Sequence, residues 1–465
     1  MGAQVSTASQ VNIVGSGLTT PPGGIRGIGV DTDGDLKQID DQGAVTPLGG
    51  LSGVTTVAVN PVDEATALNA AITARAAAGG GIVWLPQGNH HFKGAINAAS
   101  GVSLLGAGRG ATSLVIDDSD GNIGDLIKLT NTFGVRLADF TITASSGRSA
   151  GKAIYVKGGD ATKHLDSFNL SACEAVIERV DFNNQFDGVV IENNGSVANW
   201  LTYFRDSRGA NFTGDGLRID CPGVGDTYGA SHFIERLFFY NNTVAEGGAG
   251  PVGASIHIKN SGDFNVIACE TFGALNGLLM DPPAAAVTGG RLSTGRFRGC
   301  FFEAGAGADA TGKIIPSGTA VFGDIDFEGC WFASGATHGM LINNSSLGTV
   351  PWDIRFRGCT FFRNTQYGMV LTGTDFCENI MVDSCAFSGN NSGGFRAVAA
   401  KHFAVRNSLF TQGHLPVGSG TQAVGIQVDA GCDFYIVTGN DTTDSTGTGF
   451  VDNGGAVTKI VTPNL

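Results

Sequence analysis

Phe297-Arg-Gly-Cys300-Phe-Phe302, Phe327-Glu-Gly-Cys330-Trp-Phe332 and Phe356-Arg-Gly-Cys359-Thr-Phe361 are three copies of one short motif. Val382-Asp-Ser-Cys385-Ala-Phe387 and Val405-Arg-Asn-Ser408-Leu-Phe410 continue it, and the centre advances by 30, 29, 26 and 23 residues. Weaker copies centred on Cys269, Leu237, Ser207 and Val180 extend it backwards at intervals of 31, 32, 30 and 27, and Tyr435 to Asn440 is a degenerate last copy. A second motif alternates with the first: glycine, then apolar, any, apolar, as in Gly188-Val-Val-Ile191, Gly216-Leu-Arg-Ile219 and Gly368-Met-Val-Leu371. Each repeat therefore holds at least two short strands, bounded by Gly, Asn, Asp and Ser, and neither can bury a core alone. Stacking solves the problem. The sequence predicts an all-β solenoid, a parallel β-helix with coils of about 23 to 32 residues, each pairing with the coils above and below.

The registers follow from the motif. Positions three before, at and two after the centre are apolar and are expected to point inward, with the intervening glycine turning a corner. Cys269, Cys300, Cys330, Cys359 and Cys385 then form an internal column, packed as small soft thiols. The position two before the centre reads Glu178, Arg205, Glu235, Ile267, Arg298, Glu328, Arg357, Asp383, Arg406, alternating in sign wherever it is charged. Adjacent parallel strands lie about 4.8 Å apart, so alternation supports this register.

Composition excludes several classes of function. Among 465 residues there are 72 glycines, 42% are hydrophobic and only 15% are charged, with a net charge of −14. That content builds a large core and argues against disorder. No Lys/Arg run follows a phosphate backbone, so nucleic acid is not an expected partner. No stretch has the roughly 18 apolar residues of a membrane span, and no secretory leader is legible at the start. Nine cysteines without a CxxC pair, and His90-His91 alternating across an extended segment, predict no metal site and no cofactor. Gly106-Ala-Gly108-Arg-Gly110 lacks the strand-loop-helix context of a phosphate loop.

Asp63 to Ala78 reads as the one helix, with Asp63 as N-cap and Gly79 to Gly81 ending it. A strand at Ile82-Val-Trp-Leu85 follows, then Pro86-Gln-Gly88-Asn-His-His-Phe92 and Gly101-Val-Ser-Leu-Leu-Gly106-Ala-Gly108. This run resembles the N-terminal cap of the pectate-lyase-like β-helix superfamily, departing from its pattern at Phe92, where Tyr is usual. The resemblance implies a right-handed coil. Residues 1 to 52 are rich in Gly, Thr, Ser and Pro, and the run around Asp31-Thr-Asp33-Gly-Asp35 reads as a hairpin turn. That segment looks like the small β adaptors that phage tail fibres and tailspikes carry before their β-helices. The expected division is residues 1–52 as virion-attachment adaptor, 53–112 as cap, and 113–465 as β-helix with a short tail. The resemblance to phage tailspikes and related receptor-binding proteins implies a homotrimer on a virion tail, assembled in the host cytoplasm, attached to tail or baseplate proteins through residues 1–52, and recognising host surface polysaccharide.

Sugar handling needs aromatic faces and carboxylates. One outward position offers both. One residue after the motif centre stand Asp181, Arg208, Phe238, Glu270, Phe301 and Trp331, and three after it stand Tyr240, Phe272, Glu303 and Phe362. Phe238, Phe301 and Trp331 are the expected glycan platforms, with Arg208 and Asp181 beside them and Glu270 with Glu303 as the catalytic pair. One coil of rise plus two residues along the strand separates that pair by roughly 8 Å, the range of an inverting glycosidase. The alternative is burial in a subunit interface or beneath a loop, which Phe-Phe and Trp-Phe doublets favour. Three functions stay open: a tailspike that binds host polysaccharide, with or without depolymerising it, a structural fibre or collar protein without catalysis, and a free polysaccharide lyase or glycoside hydrolase.

Overall fold

The computed structural model describes residues 27–30, 36–39, 45–47, 54–59, 62–117, 124–144, 147–158, 170–193, 198–222, 229–241, 253–283, 291–305, 307–317, 320–333, 337–345, 352–412, 422–455 and 459–462. Within them the chain coils into a parallel β-helix with three stacks of strands. The first stack holds the part of each motif copy before its centre: Phe297 lies opposite Val266 and Phe327, and Phe356 opposite Val382. The second stack holds the part after the centre, with Phe302 opposite Phe332 and Phe361 opposite Phe387. The third is a 13-stranded sheet built from the glycine motif, running from Ile96–Asn97 to Thr448–Asp452. The first motif thus supplies two strands rather than one, because the chain bends inside it.

That bend is a left-handed residue. Arg179, Asp206, Arg236, Ala268, Gly299, Gly329, Gly358, Ser384, Asn407 and Gly439 each precede a motif centre, and their φ angles lie between 51° and 66°. The sequence assigned the corner to glycine, but any residue takes it here, since ladder bonds on both sides outweigh the roughly 1–2 kcal/mol that a left-handed side chain costs. The charged occupants also pair from coil to coil. Arg179 Nε donates to Asp139 Oδ1 at 2.7 Å, and Arg236 Nε to Asp206 Oδ1 at 2.6 Å.

All the predicted inward positions are buried, and one hydrophobic core runs from Val57 to Val437. Two phenylalanine columns fill it. Phe297, Phe327 and Phe356 stack with centroids 4.6 and 4.7 Å apart, and Phe332, Phe361, Phe387 and Phe410 stack at 5.2, 4.7 and 4.7 Å. The expected thiol column is present, and its cysteines are free. Burial pushes the Cys269 thiol well above its usual range. The charge ladder is also in the predicted register, with Glu178 opposite Arg205, Arg298 opposite Glu328, and Asp383 opposite Arg406. Cys173 lies among side chains outside the description.

The helix spans Ala65–Ala77 and covers the open end of the core with Leu68 and Ile72. Its N-cap is Glu64, not Asp63. The reason is that Glu64 turns inward to His90, whose Nδ1 lies 2.6 Å from Glu64 Oε2, both side chains being buried. The Asp63 carboxylate still takes the Ala65 and Lys93 N–H groups at 3.0 and 3.1 Å. Asn69 closes the end of the third stack, accepting the Asn97 N–H at 2.7 Å and so masking a bare strand edge. The glycines after the helix are required: a Cβ on Gly80 would come 2.7 Å from the Gly101 carbonyl oxygen. Ahead of the cap, Gly27–Val30, Leu36–Ile39 and Val45–Pro47 pair antiparallel, which places a reversal where the hairpin was expected, although residues 31–35 lie outside the description.

Candidate functional site

The strand ladder places Asp181, Arg208, Phe238, Glu270, Phe301 and Trp331 in one outward column of the second stack, each opposite the next. Phe272 bridges the column from the side, so the rings run continuously: Phe238 to Phe272 at 5.6 Å, Phe272 to Phe301 at 5.4 Å, Phe301 to Trp331 at 5.9 Å. Phe238 and Trp331 are 39% and 43% exposed, so the isolated chain leaves this ribbon open. Glu270 is exposed between Phe238 and Phe301, and Glu303 is half-buried two residues beyond Phe301 on the next coil. At the other end Arg208 makes a fork with Asp181, its Nε and a terminal nitrogen lying 3.2 and 2.6 Å from the two carboxylate oxygens. That fork raises the Arg208 pKa. Asp181 and Arg208 are therefore spoken for, whereas the rings present free faces.

A second cluster lies on the outer surface of the third stack, and the sequence reading missed it. Its column runs Tyr155, Val190, Arg218, His257, Leu279. His257 stands between two carboxylates, Nδ1 at 2.8 Å from Asp215 Oδ2 and Nε2 at 2.7 Å from Asp281 Oδ1. Burial disfavours its charge, but the hydrogen bonds to Asp215 and Asp281 outweigh that and raise its pKa to about 9. The imidazolium is thus the standing form at neutral pH. Arg218 reaches Asp187 at 3.0 Å and Glu192 at 3.3 Å, and Tyr155 donates its hydroxyl to Glu192 at 2.7 Å. Burial and that hydrogen bond raise the Tyr155 pKa.

Two neighbouring carboxylates in this cluster are pushed apart. Burial is the largest influence on both. Asp187 is driven upward by it, while Asp215 ends below its usual range because its hydrogen bond to His257 prevails. Opposed shifts in adjacent groups occur at acid-base sites and in structural ion networks alike. Asp187 and Asp215 also accept the backbone N–H groups of Asp215 and Ala254, each at 2.9 Å, which anchors the cluster to consecutive coils. Asp281, Glu192 and Arg218 keep 28%, 23% and 22% of their side chains exposed, so the outer rim is reachable. A groove lined by Asp125, Lys128, Asn131, Tyr155 and Lys157 adjoins it. The legible signal was the Asp-Gly start at Asp187-Gly188 and Asp215-Gly216; His257 gave none, because its strand lacks the leading glycine. Both ring nitrogens of His257 being engaged, the cluster suits proton transfer rather than metal ligation. Among the described residues no group of His, Cys, Asp and Glu is arranged to hold a metal ion.

Three stacks of parallel strands, a capping helix and a charged outer face define a β-helix protein. Family models agree: one described as rhamnogalacturonase A/epimerase, pectate lyase-like matches residues 61–261, and one described as right handed beta helix region matches residues 314–462. Over those two stretches the chain is similar to pectate-lyase-like and right-handed β-helix proteins, and its fold is a parallel β-helix. Among curated proteins it is similar to mannuronan C5-epimerase AlgE4 of Azotobacter vinelandii, 32% identical over 137 residues, which is 26% of this chain and 23% of that protein. Alginate lyase 7 of the same organism is 29% identical over 130 residues, 26% of this chain and 15% of that one. The chain thus matches less than a quarter of either relative's length. Among solved structures the AlgE4 A-module shares the fold with a TM-score of 0.57 at 17% identity, over 88% of this chain and 98% of that one. The tailspike protein of E. coli bacteriophage HK620, solved with a pentasaccharide, does so at 0.58 and 13%, over 90% and 82%. A tailspike protein of bacteriophage CBA120 gives 0.56 and 13%, over 92% and 64%.

Proposed function

We propose that this chain is a tailspike-type protein that binds a host-surface polysaccharide and depolymerises it. The observation that carries the catalytic part is the reachable rim of Asp281 and Glu192 on the outer β-helix face, with His257 bridging Asp281 to the buried Asp215. Arg218 and His257, each already paired with carboxylates, hold the cluster in place, and the rim carboxylates Asp281 and Glu192 are placed to move a proton at the glycosidic linkage. The relatives that act on mannuronan and alginate support an acidic substrate. The ribbon of Phe238, Phe272, Phe301 and Trp331 is the second contact, a stacking surface for sugar rings. In this reading residues 1–52 attach the protein to the virion and Asp181 with Arg208 frame the ribbon.

Glu270 and Glu303 remain the rival catalytic pair, favoured by Glu270 standing between two exposed rings. Reducing-end release from mannuronan by four proteins separates the sites: the natural chain, His257→Gln, Asp281→Asn, and the double variant Glu270→Gln with Glu303→Gln. The expected result is a loss of about a hundred-fold or more for His257→Gln and Asp281→Asn, with the double variant within a few-fold of the natural chain. Full activity in His257→Gln would remove the third-stack cluster from catalysis.

A further inference from the structure

A second corner column leads into the first stack. Thr294, Asp324, Asp353, Asn379, His402 and Phe434 occupy it on successive coils, with φ of 57°, 55°, 48°, 54°, 52° and 49°. The backbone there is left-handed by architecture, and Asp353 and Asn379 are residue types that tolerate it. His402 is likewise a tolerated type, and Phe434 is the bulky aromatic of this column. Both side chains stand out into solvent: Phe434 is 43% exposed and the His402 side chain 52%. They stack on each other with centroids 5.0 Å apart and planes 27° from parallel.

The pair forms one wall of a groove of about 330 Å3 whose floor is Met381, Ala404 and Ile436. Arg355 and Arg406 also line it. Arg406 Nε is buried without a hydrogen-bond partner among the described residues, a cost that a ligand acceptor would remove. Arg355 lies 3.6, 3.7 and 3.8 Å from Asp326, Asp353 and Asp324, so its charge is balanced within the chain, and Asp353 lines the groove beside it. An aromatic wall, an apolar floor and the unpartnered Nε of Arg406 match one ligand chemistry.

We propose that this groove binds a carboxylate-bearing sugar residue of a polysaccharide, its apolar ring face on Phe434 and its carboxylate on Arg406. The site lies on a different face from the third-stack cluster and from the aromatic ribbon, and its occupancy does not depend on either. Titration calorimetry on the full chain tests it, with a mannuronan oligosaccharide as probe and a neutral glucan oligosaccharide of equal length as control. Phe434→Gly and Arg406→Gln should each lower the number of mannuronan sites per chain by one, or weaken that site about ten-fold, and the neutral probe should not occupy it. Phe434→Gly should also keep or raise the thermal unfolding midpoint, because glycine suits the left-handed backbone. A chain that also binds mannuronan at the third-stack cluster starts from two sites, and one that does not starts from one, so the loss of a site reads this groove separately from the catalytic proposal. No mannuronan binding at all, unchanged binding in both variants, or a lowered midpoint in Phe434→Gly would overturn it.

Discussion

His232 on the first stack and His257 on the third have opposite electrostatics. His232 is buried with neither ring nitrogen hydrogen-bonded, and burial alone drives its pKa down to about 3. His257 is held up at about 9 by Asp215 and Asp281. Their contributions to stability therefore change in different pH windows. The raised His257 stabilises fully below its unfolded value of 6.5, and that contribution, at most about 3 kcal/mol, is lost as pH rises from there through 9. The depressed His232 gives the reverse: the unfolded chain takes up a proton below 6.5 while the native state refuses it until about 3, so stability falls with falling pH across that interval. Urea unfolding followed from pH 4 to 9.5 should show both limbs. His257→Gln should flatten the alkaline limb and His232→Phe the acid one, and a limb that survives its substitution unchanged would assign it to other groups.

Elements in this molecule are held by what crosses between coils. Between the second and third stacks runs a buried amide column in which Asn390 accepts from the Asn364 backbone N–H at 3.1 Å and from Asn364 Nδ2 at 2.8 Å. It donates in turn to the Phe361 carbonyl at 3.0 Å and to Gln422 at 3.3 Å. Asn390→Ala strands groups on the two flanking coils, Asn364 and Phe361 on one and Gln422 on the other, and each unpaired buried partner costs about 1–3 kcal/mol. The expected loss is about 3 kcal/mol in the urea-extrapolated stability, and a loss under about 1 kcal/mol would show that the coils relax around the gap. The glycine motif has a related cause that sequence alone does not display. A Cβ on Gly394 would lie 2.3 Å from the Phe410 ring, so third-stack glycines make room for the second-stack phenylalanine column. Inward positions such as Phe297, Cys300 and Phe302 were legible because their spacing repeats coil after coil. The corners at Arg179, Asp206 and Arg236 were not, because their conformation is imposed by neighbouring ladders and leaves no residue preference behind. The His257 cluster was hidden for a third reason: Asp215, His257 and Asp281 are brought together from separations of 42 and 24 residues, where loops of unequal length break the period.

At the scale of the whole molecule, a solenoid puts its sides to use, and three of them here carry distinct chemistry: rings and Glu270 on the second stack, an ion network on the third, and the His402–Phe434 groove on the first. Exposed rings on one side can serve a glycan or a second subunit, and the two uses predict different masses. Contiguous aromatic surface of this kind marks an interaction site on a soluble protein. In the proposed tailspike the subunits associate and the ribbon remains open to sugar. Light scattering during size exclusion should then give three times the 47.6 kDa chain mass for the natural protein. Trp331→Arg should keep that mass while weakening polysaccharide binding about ten-fold, since a stacked ring contributes on the order of 1–1.5 kcal/mol. If the ribbon instead lies between subunits, an arginine there buries an unpaired charge in the interface, and the mass should fall to that of a single chain. A natural protein that runs as one chain would separate the ribbon from any subunit contact and detach the fold from the tailspike assembly, leaving the third-stack chemistry to a monomeric enzyme.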